Sequence, residues 1–574
     1  MAEITTTSDI GRALGLLRRV DLEYPDGQLL ECFLRDSIDP LQTARYILGR
    51  CSADGDGLGL ATLLSDWKKL ISMLTYDGSR HPSRDPTIIS AIRKRDRGKC
   101  CLTGLGHSVW DPLVVVPLLP PEGFQVDKEL HELLGIFIGS SLLDWLLSKA
   151  ARLSPEQNHW LVRKSAAAAI TQGFFELMME SGLKVGLFIL FLVLSSHSPI
   201  STRVHKLTDL QYTVYTSGIG GPTVPFIIKK LPFRRSAHFT DCIASHIDNP
   251  DTSALETVSR LAKPIRWTGV AREVACKRPR TVRNGPTASL WRFLSERGAT
   301  AVALAWRLVP APIRIRAYQG LAFLGAHMYG PSCSFKVQRL PFGLYLKTTP
   351  TRRYPMLANE FAALQLVRRH TNVPVPSALD LVSDSKDSYL LTTKVRGIPL
   401  GRCIDTLSRD EVTTLVGDLQ KYLSELRAIP KEVSPKYAIT NALGKACYDA
   451  RIMMGSQYDE ARGDFFGPFV DEDDFNDTLR CVPLPDVVHS NGHEIVFTHG
   501  DLNMRNIMMY NGRLSGFIDW ETCGWLPDYW DYTKAHFITK LNRRWLKMVD
   551  AVFGKLGNYE AELTVERQLW EYCF

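Results

Sequence analysis

The sequence of 574 residues has little of what marks secreted, zinc-finger or membrane proteins. Its twelve cysteines include no CxxC pair and no regular spacing. That pattern is typical of scattered reduced thiols rather than of a disulfide framework or a structural zinc site. The first residues, MAEITTTSDIGRALGLL, also lack the charged-then-apolar order of a signal peptide. We therefore expect a cytoplasmic, intracellular protein.

No apolar run approaches the roughly 20 residues that a membrane-spanning helix requires. The most apolar stretch is VGLFILFLVLSS at 185–196, which predicts a buried helix or strand and no transmembrane helix. The longer segment 185–211 interrupts a smooth continuation of SGLK into YTVYTSGIGG. It begins with Val, whose codons start with GT, and it ends in LTDLQ, which can encode a branch point and a CAG acceptor. A retained intron is therefore the alternative hypothesis for this segment.

Positive and negative charges nearly balance, since the formal net charge is only +8 over the whole chain. The obvious basic cluster is KRPR at 277–280, which is more typical of a solvated linker than of a nucleic-acid contact. A hydrophobic content of 45% and a charged content of 23% indicate a globular, core-forming protein. We do not expect a nucleic-acid partner.

The pattern along the chain predicts three segments and an α+β fold class. Residues 1–232 open with helical patterns and are expected to form an N-terminal α+β domain. Residues 233–310 are polar and basic, and they predict a linker that ends in a helix over TASLWRFLSERGATAVALAWRL. Residues 311–574 alternate strand-like and helix-like stretches, which predicts a small β-rich lobe, a crossing strand and a larger helical lobe.

Within the last segment the local signals are specific. SFKVQRLP and FGLYLKTT read as two strands joined by a Pro-Phe-Gly turn, and ANEFAALQLVRRH reads as a helix. YLLTTKV predicts a further buried strand. A long helix follows, opened by a capping box of Ser408 and Glu411 and stopped by Pro430.

The stretch THGDLNMRNIMMYNGRLSGFIDWE, at 498–521, places polar residues on both sides of a predicted hairpin. Its Asn-Gly pair at 511–512 is a strong hairpin signal, since both residues tolerate positive φ. The hairpin folds the chain back, so Asp501, Asn506 and Asp519 can converge. Mg²⁺ prefers oxygen ligands, and Asn506 and Asp519 suit that role.

Phosphoryl transfer needs such a pocket, because its catalysis depends mainly on positioning and on electrostatic stabilisation. Asp501 would orient an acceptor hydroxyl and take its proton. His499 is expected to brace the loop through hydrogen bonds rather than to react.

HGDLNMRN followed by IDWE resembles the Brenner-type motif of the aminoglycoside phosphotransferase and choline kinase group. The resemblance runs from the region of Met328 to near the C-terminus, and it is similar in particular to fungal phosphotransferase-like proteins. It implies a protein-kinase-like two-lobe fold with ATP and Mg²⁺ as cofactors. It also implies that Lys347, in LYLKT, holds the α- and β-phosphates and that Glu360, in NEFAAL, is its helix partner.

The nucleotide contacts implied by the resemblance are less regular. The loop GPSCSFKV has Gly330 as its only glycine, so phosphate contacts would come from Ser332 and Ser334. The adenine is expected at the backbone of the crossing strand, around Thr393 and Val395, with Thr392 as gatekeeper.

Other residues near the motif have weaker signals. Asp531 matches an aspartate that stabilises the catalytic loop, and Glu521 is a candidate for a second metal or for the acceptor. The aromatic residues between 520 and 532 are more typical of packing than of a cation cage. The acidic stretch DEDDFND, at 471–477, reads as a solvated loop, with attraction of a cationic acceptor as the alternative.

The first segment has a second resemblance, to an HNH-endonuclease-like module. The turn at Cys101–Gly104 and Asn158 fit that pattern. Val114 and the alanines near Ala167 stand where the histidines would be, while His107 and His159 do not align with those positions. The scaffold is therefore expected without the metal-dependent chemistry, and an unrelated α+β domain is the alternative.

These observations favour an ATP- and Mg²⁺-dependent phosphotransferase that transfers the γ-phosphate to a hydroxyl of an unidentified small molecule or protein. The alternative is a pseudokinase that binds nucleotide or scaffolds partners without turnover. A nucleic-acid binder is a third hypothesis, which the absent histidines and the dispersed positive charge argue against.

Overall fold

The computed structural model divides the chain into two compact units, Met1–Cys276 and Lys277–Phe574. The structure describes residues 9–20, 22–54, 56–74, 82–109, 111–120, 128–179, 210–216, 234–239, 248–275, 305–329, 337–449, 465–481, 483–539 and 542–573. No helix in these ranges is both long enough and apolar enough to cross a membrane.

The first unit is mainly helical, with two small antiparallel sheets. Its helices are α1 (Asp9–Arg19), α2 (Asp26–Arg35), α3 (Pro40–Asp54), α4 (Asp56–Leu74), α5 (Pro86–Arg95), α6 (Lys128–Ile138), α7 (Ser140–Ser148), α8 (Pro155–Asn158), α9 (Lys164–Thr171) and α10 (Thr252–Ala275). Its strands are β1 (Leu113–Pro117), β2 (His159–Arg163), β3 (Phe175–Met179), β4 (Leu210–Thr216) and β5 (Arg234–Phe239). The strands pair as β1-β2 and as β3-β4-β5.

Arg95, at the end of α5, organises the polar interior of this unit. Its guanidinium is 1% exposed and forms an ion pair with Asp96 at 2.7 Å. It also donates to the backbone carbonyls of Glu156, His159 and Asp248 at 2.7 to 3.1 Å. Asp96 in turn accepts the backbone N–H of Leu161 at 2.9 Å. A buried guanidinium is tolerated because its donors have partners, which here join three distant stretches of chain.

Helix α10 lies within the segment 233–310 that composition predicts to be a linker, and the structure corrects that expectation. The hydroxyl of Ser259 accepts from Leu177 N and donates to Leu177 O, at 2.8 and 2.7 Å. Lys263 forms an ion pair with Asp36 at 2.6 Å. At Gly173 an added Cβ would lie 2.0 Å from the carbonyl oxygen of Ala262, so the helix backbone is in direct contact. The helix is therefore part of the core. The helix expected over 287–308 lies mostly outside the described residues.

The HNH-like pattern maps to β1, β2 and α9. Val114 pairs with Val162 across the two strands, and Ala167 is buried on α9. Asn158 is also buried, and its side-chain amide bonds both backbone groups of Leu119 at 3.0 Å, which is a structural role. The proposed ancestry stays a prediction.

The apolar stretch 185–196 lies outside the described residues, and so does most of the hypothetical intron. The flanking strands are described, and Met179 pairs with Tyr212 at the end of the β3-β4 ladder. If residues 185–211 were removed, residues 180–184 would join these strands, and a loop of that length is common in β-hairpins.

We therefore expect a chain lacking residues 185–211 to fold with a Tm close to that of the full chain. Loss of Leu210 and Gln211, which pair with β5, opposes the gain of about 0.6 kcal/mol in closure entropy for each halving of the connection. Differential scanning calorimetry measures this, with a deletion of the paired residues 212–216 as the destabilised control. A fall in Tm of more than about 4 °C in the first deletion would show that the segment is part of the fold.

The second unit contains the remaining elements. Its helices are α11 (Ala311–Tyr329), α12 (Tyr354–His370), α13 (Arg409–Arg427), α14 (Glu472–Leu479), α15 (Trp530–Ile538), α16 (Arg543–Phe553) and α17 (Glu560–Cys573). Its strands are β6 (Val337–Leu340), β7 (Leu344–Pro350), β8 (Ala378–Ser383), β9 (Asp387–Thr393), β10 (Ile398–Pro399), β11 (Thr440–Asn441), β12 (Ile495–Thr498), β13 (Ile507–Tyr510), β14 (Arg513–Phe517) and β15 (Gly524–Pro527).

The small lobe of this unit is an antiparallel sheet in the order β6-β7-β9-β8, with helices α11 and α12 against it. The turn between β6 and β7 is the Pro-Phe-Gly turn, and Phe342 and Gly343 both have positive φ. Asp380 of β8 anchors α11, since its carboxylate accepts from Arg314 and Tyr318 at 2.5 Å. The two-lobe, kinase-like α+β fold expected for this segment is confirmed.

The large lobe combines helices with two short three-stranded sheets, β10-β13-β14 and β11-β15-β12. Helix α13 begins at the predicted capping box: Glu411 N donates to Ser408 Oγ at 3.2 Å, and Ser408 N donates to the Glu411 carboxylate at 2.9 Å. The hairpin of β13 and β14 turns at Asn511 and Gly512, with φ of 52° and 76°. Both signals act within a few residues, and the structure has both where the sequence predicts them.

Candidate active site

Lys347 lies at the centre of a cluster of three carboxylates. Strand β7 places it between β6 and β9, and its ammonium nitrogen is 2.8 Å from Glu360 Oε2. The same nitrogen is 2.5 Å from Asp519 Oδ1 and 2.7 Å from Glu521 Oε2. The side chains of Lys347 and Glu360 are 9% and 8% exposed, whereas that of Asp519 is 41% exposed. A ligand can therefore reach Asp519, while the lysine–glutamate pair stays shielded.

The charges in this cluster do not balance. Burial by itself would lower the pKa of Lys347, but the carboxylates of Asp519, Glu360 and Glu521 outweigh burial and raise that pKa well above its usual value. Burial raises the pKa of Glu360, and the two neighbouring acids raise it further against the effect of the lysine. One ammonium thus faces three acids, so the site favours an additional cation.

The loop after β12 is fixed by Asp531 and His499, which are both buried. Asp531, on α15, accepts from the backbone N–H groups of His499 and Gly500 at 3.1 and 2.8 Å. Burial raises the pKa of Asp531, opposed by His499 and by these hydrogen bonds. His499 accepts from Asp501 N at Nδ1 and donates from Nε2 to Ile518 O, at 3.3 and 3.0 Å. With both ring nitrogens engaged, His499 can brace the loop but has no nitrogen left to accept a substrate proton.

Asp501 and Asn506 meet at the other end of this loop. Asn506 Nδ2 donates to Asp501 Oδ2 at 2.8 Å and to the Asp501 carbonyl oxygen at 2.9 Å. Asn503 Nδ2 also donates to that carbonyl, at 3.1 Å. These bonds fix the peptide of Asp501 and one oxygen of its carboxylate.

The hairpin brings Asp519 back toward this loop. Ile518 N donates to the Asn506 carbonyl at 2.9 Å, and Phe517 N donates to Pro374 O at the same distance. Asp519 itself has a φ of 68°, which is rare for a residue with a Cβ and is concentrated at functional sites. The hairpin therefore places Asp519 on Lys347 and ties the preceding residue, Ile518, to the backbone of Asn506.

The residues fit a magnesium ion. Oxygens of Glu360, Asp519 and Glu521 lie within 4.8 Å of one another. Asn506 uses its amide nitrogen toward Asp501, so its amide oxygen remains to act as a ligand. Carboxylate and amide oxygens are what Mg²⁺ prefers, usually completed by phosphate and water.

The predicted nucleotide contacts are only partly described. Ser332 and Ser334 lie outside the described residues. Thr393 N donates to Ser377 O at 3.0 Å, so only its carbonyl could meet a base. The neighbouring Lys394 N is also engaged, by Gly343 O at 2.8 Å. Val395 lies just after β9, and its N–H has no acceptor within the described ranges.

The aromatic residues between 520 and 532 pack in the interior of the large lobe. The aromatic side chains of this region are buried, as packing predicts, and form no exposed cage: Trp520, Trp525, Tyr529, Trp530 and Tyr532.

The acidic stretch 471–477 is predicted to be a loop, but it forms the start of α14. Asp471 caps this helix by accepting from Asp474 N at 2.9 Å. Acids in a first helical turn are favoured by the helix dipole, which explains the composition.

Asn359 is a site residue that sequence reasoning missed. It precedes Glu360 on α12, is buried, and forms hydrogen bonds with residues of the large lobe. The available signal was an asparagine inside a helix, where its side chain competes with helical hydrogen bonds unless it has a tertiary partner.

Residues 337–563 match the sequence model of the phosphotransferase enzyme family. Aminoglycoside phosphotransferase APH(3'')-Id from Streptomyces rimosus, with ADP and streptomycin, is 18% identical over 42% of this chain and 90% of its own, with a TM-score of 0.28. A thermostable mutant of APH(4)-Ia, with ADP and hygromycin B, is 15% identical over 41% and 78%, with a TM-score of 0.29.

The GDP complex of a mutant aminoglycoside 2'-phosphotransferase is 21% identical over 41% of this chain and 79% of its own, with a TM-score of 0.30. These structural similarities are too low to support a substrate. The matched range includes Lys347, Glu360 and Asp519, which are in contact, and Asp501 and Asn506, which form a second contact pair. Residues 337–563 of this chain are therefore similar in sequence to the phosphotransferase enzyme family.

Proposed function

We propose that the second unit is an ATP- and Mg²⁺-dependent phosphotransferase that transfers the γ-phosphoryl group to a hydroxyl of a small molecule or protein. The observation that carries the proposal is the meeting of Lys347 with Glu360 and Asp519 at 2.8 and 2.5 Å. These three residues come from a strand, a helix and a loop that are far apart in sequence. A pseudokinase is less well supported, because the set of charged residues is complete.

In this proposal each residue has a distinct task. Lys347, oriented by Glu360, binds the α- and β-phosphates of ATP as a fixed positive charge. Asn506 and Asp519 would hold Mg²⁺, which supplies charge neutralisation on the phosphates. Thr393 O and Val395 N would bond the adenine edge, and His499 keeps the catalytic loop in place.

Asp501 acts on the acceptor. Its carboxylate accepts a hydrogen bond from the acceptor hydroxyl and takes the proton as the new bond forms between the acceptor oxygen and the γ-phosphorus. The bond between that phosphorus and the β,γ-bridging oxygen breaks, and ADP leaves. Asn506 holds Oδ2 of Asp501 at 2.8 Å, so the carboxylate is oriented before the acceptor binds.

Nucleotide binding tests the first half of the proposal. At 100 times its Kd, MgATP is expected to stabilise the second unit by about 2.7 kcal/mol, which thermal unfolding detects. The Lys347→Met variant loses a charge-assisted contact worth roughly 1.5–3 kcal/mol, so we expect its Kd for MgATP to rise by about 10- to 100-fold.

Lys555→Met is the matched control, because Lys555 is an exposed lysine of the same unit. Phosphoryl transfer is then measured by ADP release against a panel of hydroxyl-bearing metabolites. Equal MgATP affinity in wild type and Lys347→Met would show that the nucleotide does not bind at this lysine.

A further inference from the structure

Asn359 joins helix α12 of the small lobe to two segments of the large lobe. Its Nδ2 donates to Glu521 O at 3.1 Å and to Cys523 O at 2.9 Å. Its Oδ1 accepts from Ala442 N at 2.8 Å. The side chain therefore uses both ends of its amide: its three shorter bonds go to backbone atoms outside its own helix, and Cys523 Sγ is a further acceptor at 3.5 Å.

The partners of Asn359 belong to the frame of the site. Glu521 and Cys523 follow Asp519 on the loop that leads into β15. Ala442 follows β11, which pairs with β15 through Thr440 and Trp525. The side-chain amide of Asn359 thus holds both the loop that follows Asp519 and the segment next to the β11–β15 strand pair.

We propose that Asn359 is a positioning residue that holds α12 against this loop, so that Glu360 and Lys347 are aligned before any ligand binds. The inference rests on the proposed function of the site. Successive helical residues point about 100° apart, so Glu360 can face Lys347 in the small lobe while Asn359 faces the large lobe. Helix α12 cannot swing outward without breaking three hydrogen bonds, two of which are buried.

The alternative is that Asn359 only fills space at a packed contact. In that case an apolar side chain of similar volume would replace it without effect on the site. Loss of the amide leaves Ala442 N and two backbone carbonyls without this partner, and buried backbone groups rarely stay unpaired. We therefore expect the loop and the helix to separate locally rather than to remain in register.

Hydrogen exchange tests the contact independently of activity. In Asn359→Leu the backbone amides of residues 354–370 are expected to exchange at least about 10-fold faster than in wild type, since local opening exposes them. Asn476→Leu is the matched control, because Asn476 is also a buried helical asparagine with side-chain partners, Asn491 and Ser490 O. Unchanged protection of residues 354–370 in Asn359→Leu would overturn the proposal.

Kinetics test the consequence for the site. A misplacement of about 1 Å can lower turnover by about 100-fold, so we expect kcat of Asn359→Leu to fall by about 10- to 100-fold. KM for ATP should rise by less than the 10- to 100-fold increase in Kd expected for Lys347→Met, because the variant keeps the ammonium group and loses only its alignment. Asn359→Ser, with a smaller side chain, should show the same split if the leucine variant does not fold.

A fall in thermal stability without a change in kcat would assign Asn359 a purely structural role and overturn the proposal. If the wild type transferred phosphate to no acceptor, the proposed function would fail instead. The hydrogen-exchange comparison would still decide whether Asn359 holds the helix.

Discussion

Asp501→Asn is expected to lower phosphoryl transfer by about 10²- to 10⁴-fold, the contribution typical of a positioned general base. Asparagine has nearly the shape of aspartate, so the loop should keep its structure. It cannot take the proton of the acceptor hydroxyl at neutral pH, and its nitrogen cannot accept the hydrogen bond from Asn506 Nδ2. The expected result is a loss of kcat with little change in folding.

The geometry predicts that this variant still binds nucleotide. Asp501 contacts Asn506 at 2.8 Å, but the three acids that surround Lys347 are Glu360, Asp519 and Glu521. The charge facing the phosphates is therefore unchanged, and the MgATP-dependent rise in Tm should match that of wild type. This one substitution therefore distinguishes nucleotide binding from phosphoryl transfer.

Asp410→Asn is the control, because Asp410 is an exposed acid on α13 of the same unit. Rates of ADP release are compared at saturating MgATP, with acceptor concentration varied. Turnover of Asp501→Asn within a factor of about 3 of wild type would remove Asp501 from the chemistry, whatever its position in the loop.

The site could be predicted from sequence where the signal is local or where the order of motifs is known. The Asn511–Gly512 turn and the Ser408–Glu411 capping box need only a few neighbouring residues. The pairing of Lys347 with Glu360 needed the resemblance, because a lysine and a glutamate 13 residues apart are common in any sequence. Once the resemblance gives the order of the motifs, the pairing of these two residues can be predicted.

Partners that are distant in sequence could not be predicted in the same way. Asn359 bonds Ala442 83 residues away, and Arg95 bonds Asp248 O 153 residues away. Backbone carbonyls and N–H groups occur at every position, so a sequence contains no mark of which one such a side chain will meet. Helix α10 was missed because its polar and basic composition resembles a linker, although its apolar residues pack in the core.

A row of alternating acids and histidines in the large lobe could not be predicted from the sequence either. His489 lies between Glu562 and Glu566, contacting Glu562 through Nδ1 and Glu566 through Nε2 at 3.4 Å. His493 lies between Glu472 and Glu562, at 2.6 and 3.5 Å. Further bonds come from Ser490 to Glu562 at 2.5 Å and from Trp570 to Glu566 at 2.6 Å. These residues come from α14, α17 and the segment before β12.

This arrangement makes the stability of the large lobe depend on pH. Burial would lower the pKa of His489, but its contacts with the carboxylates of Glu562 and Glu566 raise that pKa to about 9. Burial opposes the change at Glu562, whose pKa is nonetheless lowered by His489 and Ser490. The row is therefore held together by a protonated imidazole at neutral pH.

The direction in which pH changes the stability follows from the difference in proton binding between the folded and unfolded states. An unfolded histidine has a pKa of about 6.5, so the folded state binds the proton more tightly. The stabilisation is fully present below about pH 6.5 and is lost as pH rises to about 9. With about 1.36 kcal/mol for each pKa unit, the loss is roughly 3 kcal/mol.

His489→Gln should therefore be less stable than wild type by roughly 3 kcal/mol at pH 6, and the difference should close by pH 9.5. Urea unfolding of both proteins across this range measures the difference, and thiols that ionise at high pH cancel because both chains contain them. His370→Gln, an exposed histidine of the same unit, should show a difference below about 1 kcal/mol at every pH. A gap between wild type and His489→Gln that stayed constant with pH would mean that packing against Tyr529, and not the proton on the imidazole, is what the histidine contributes.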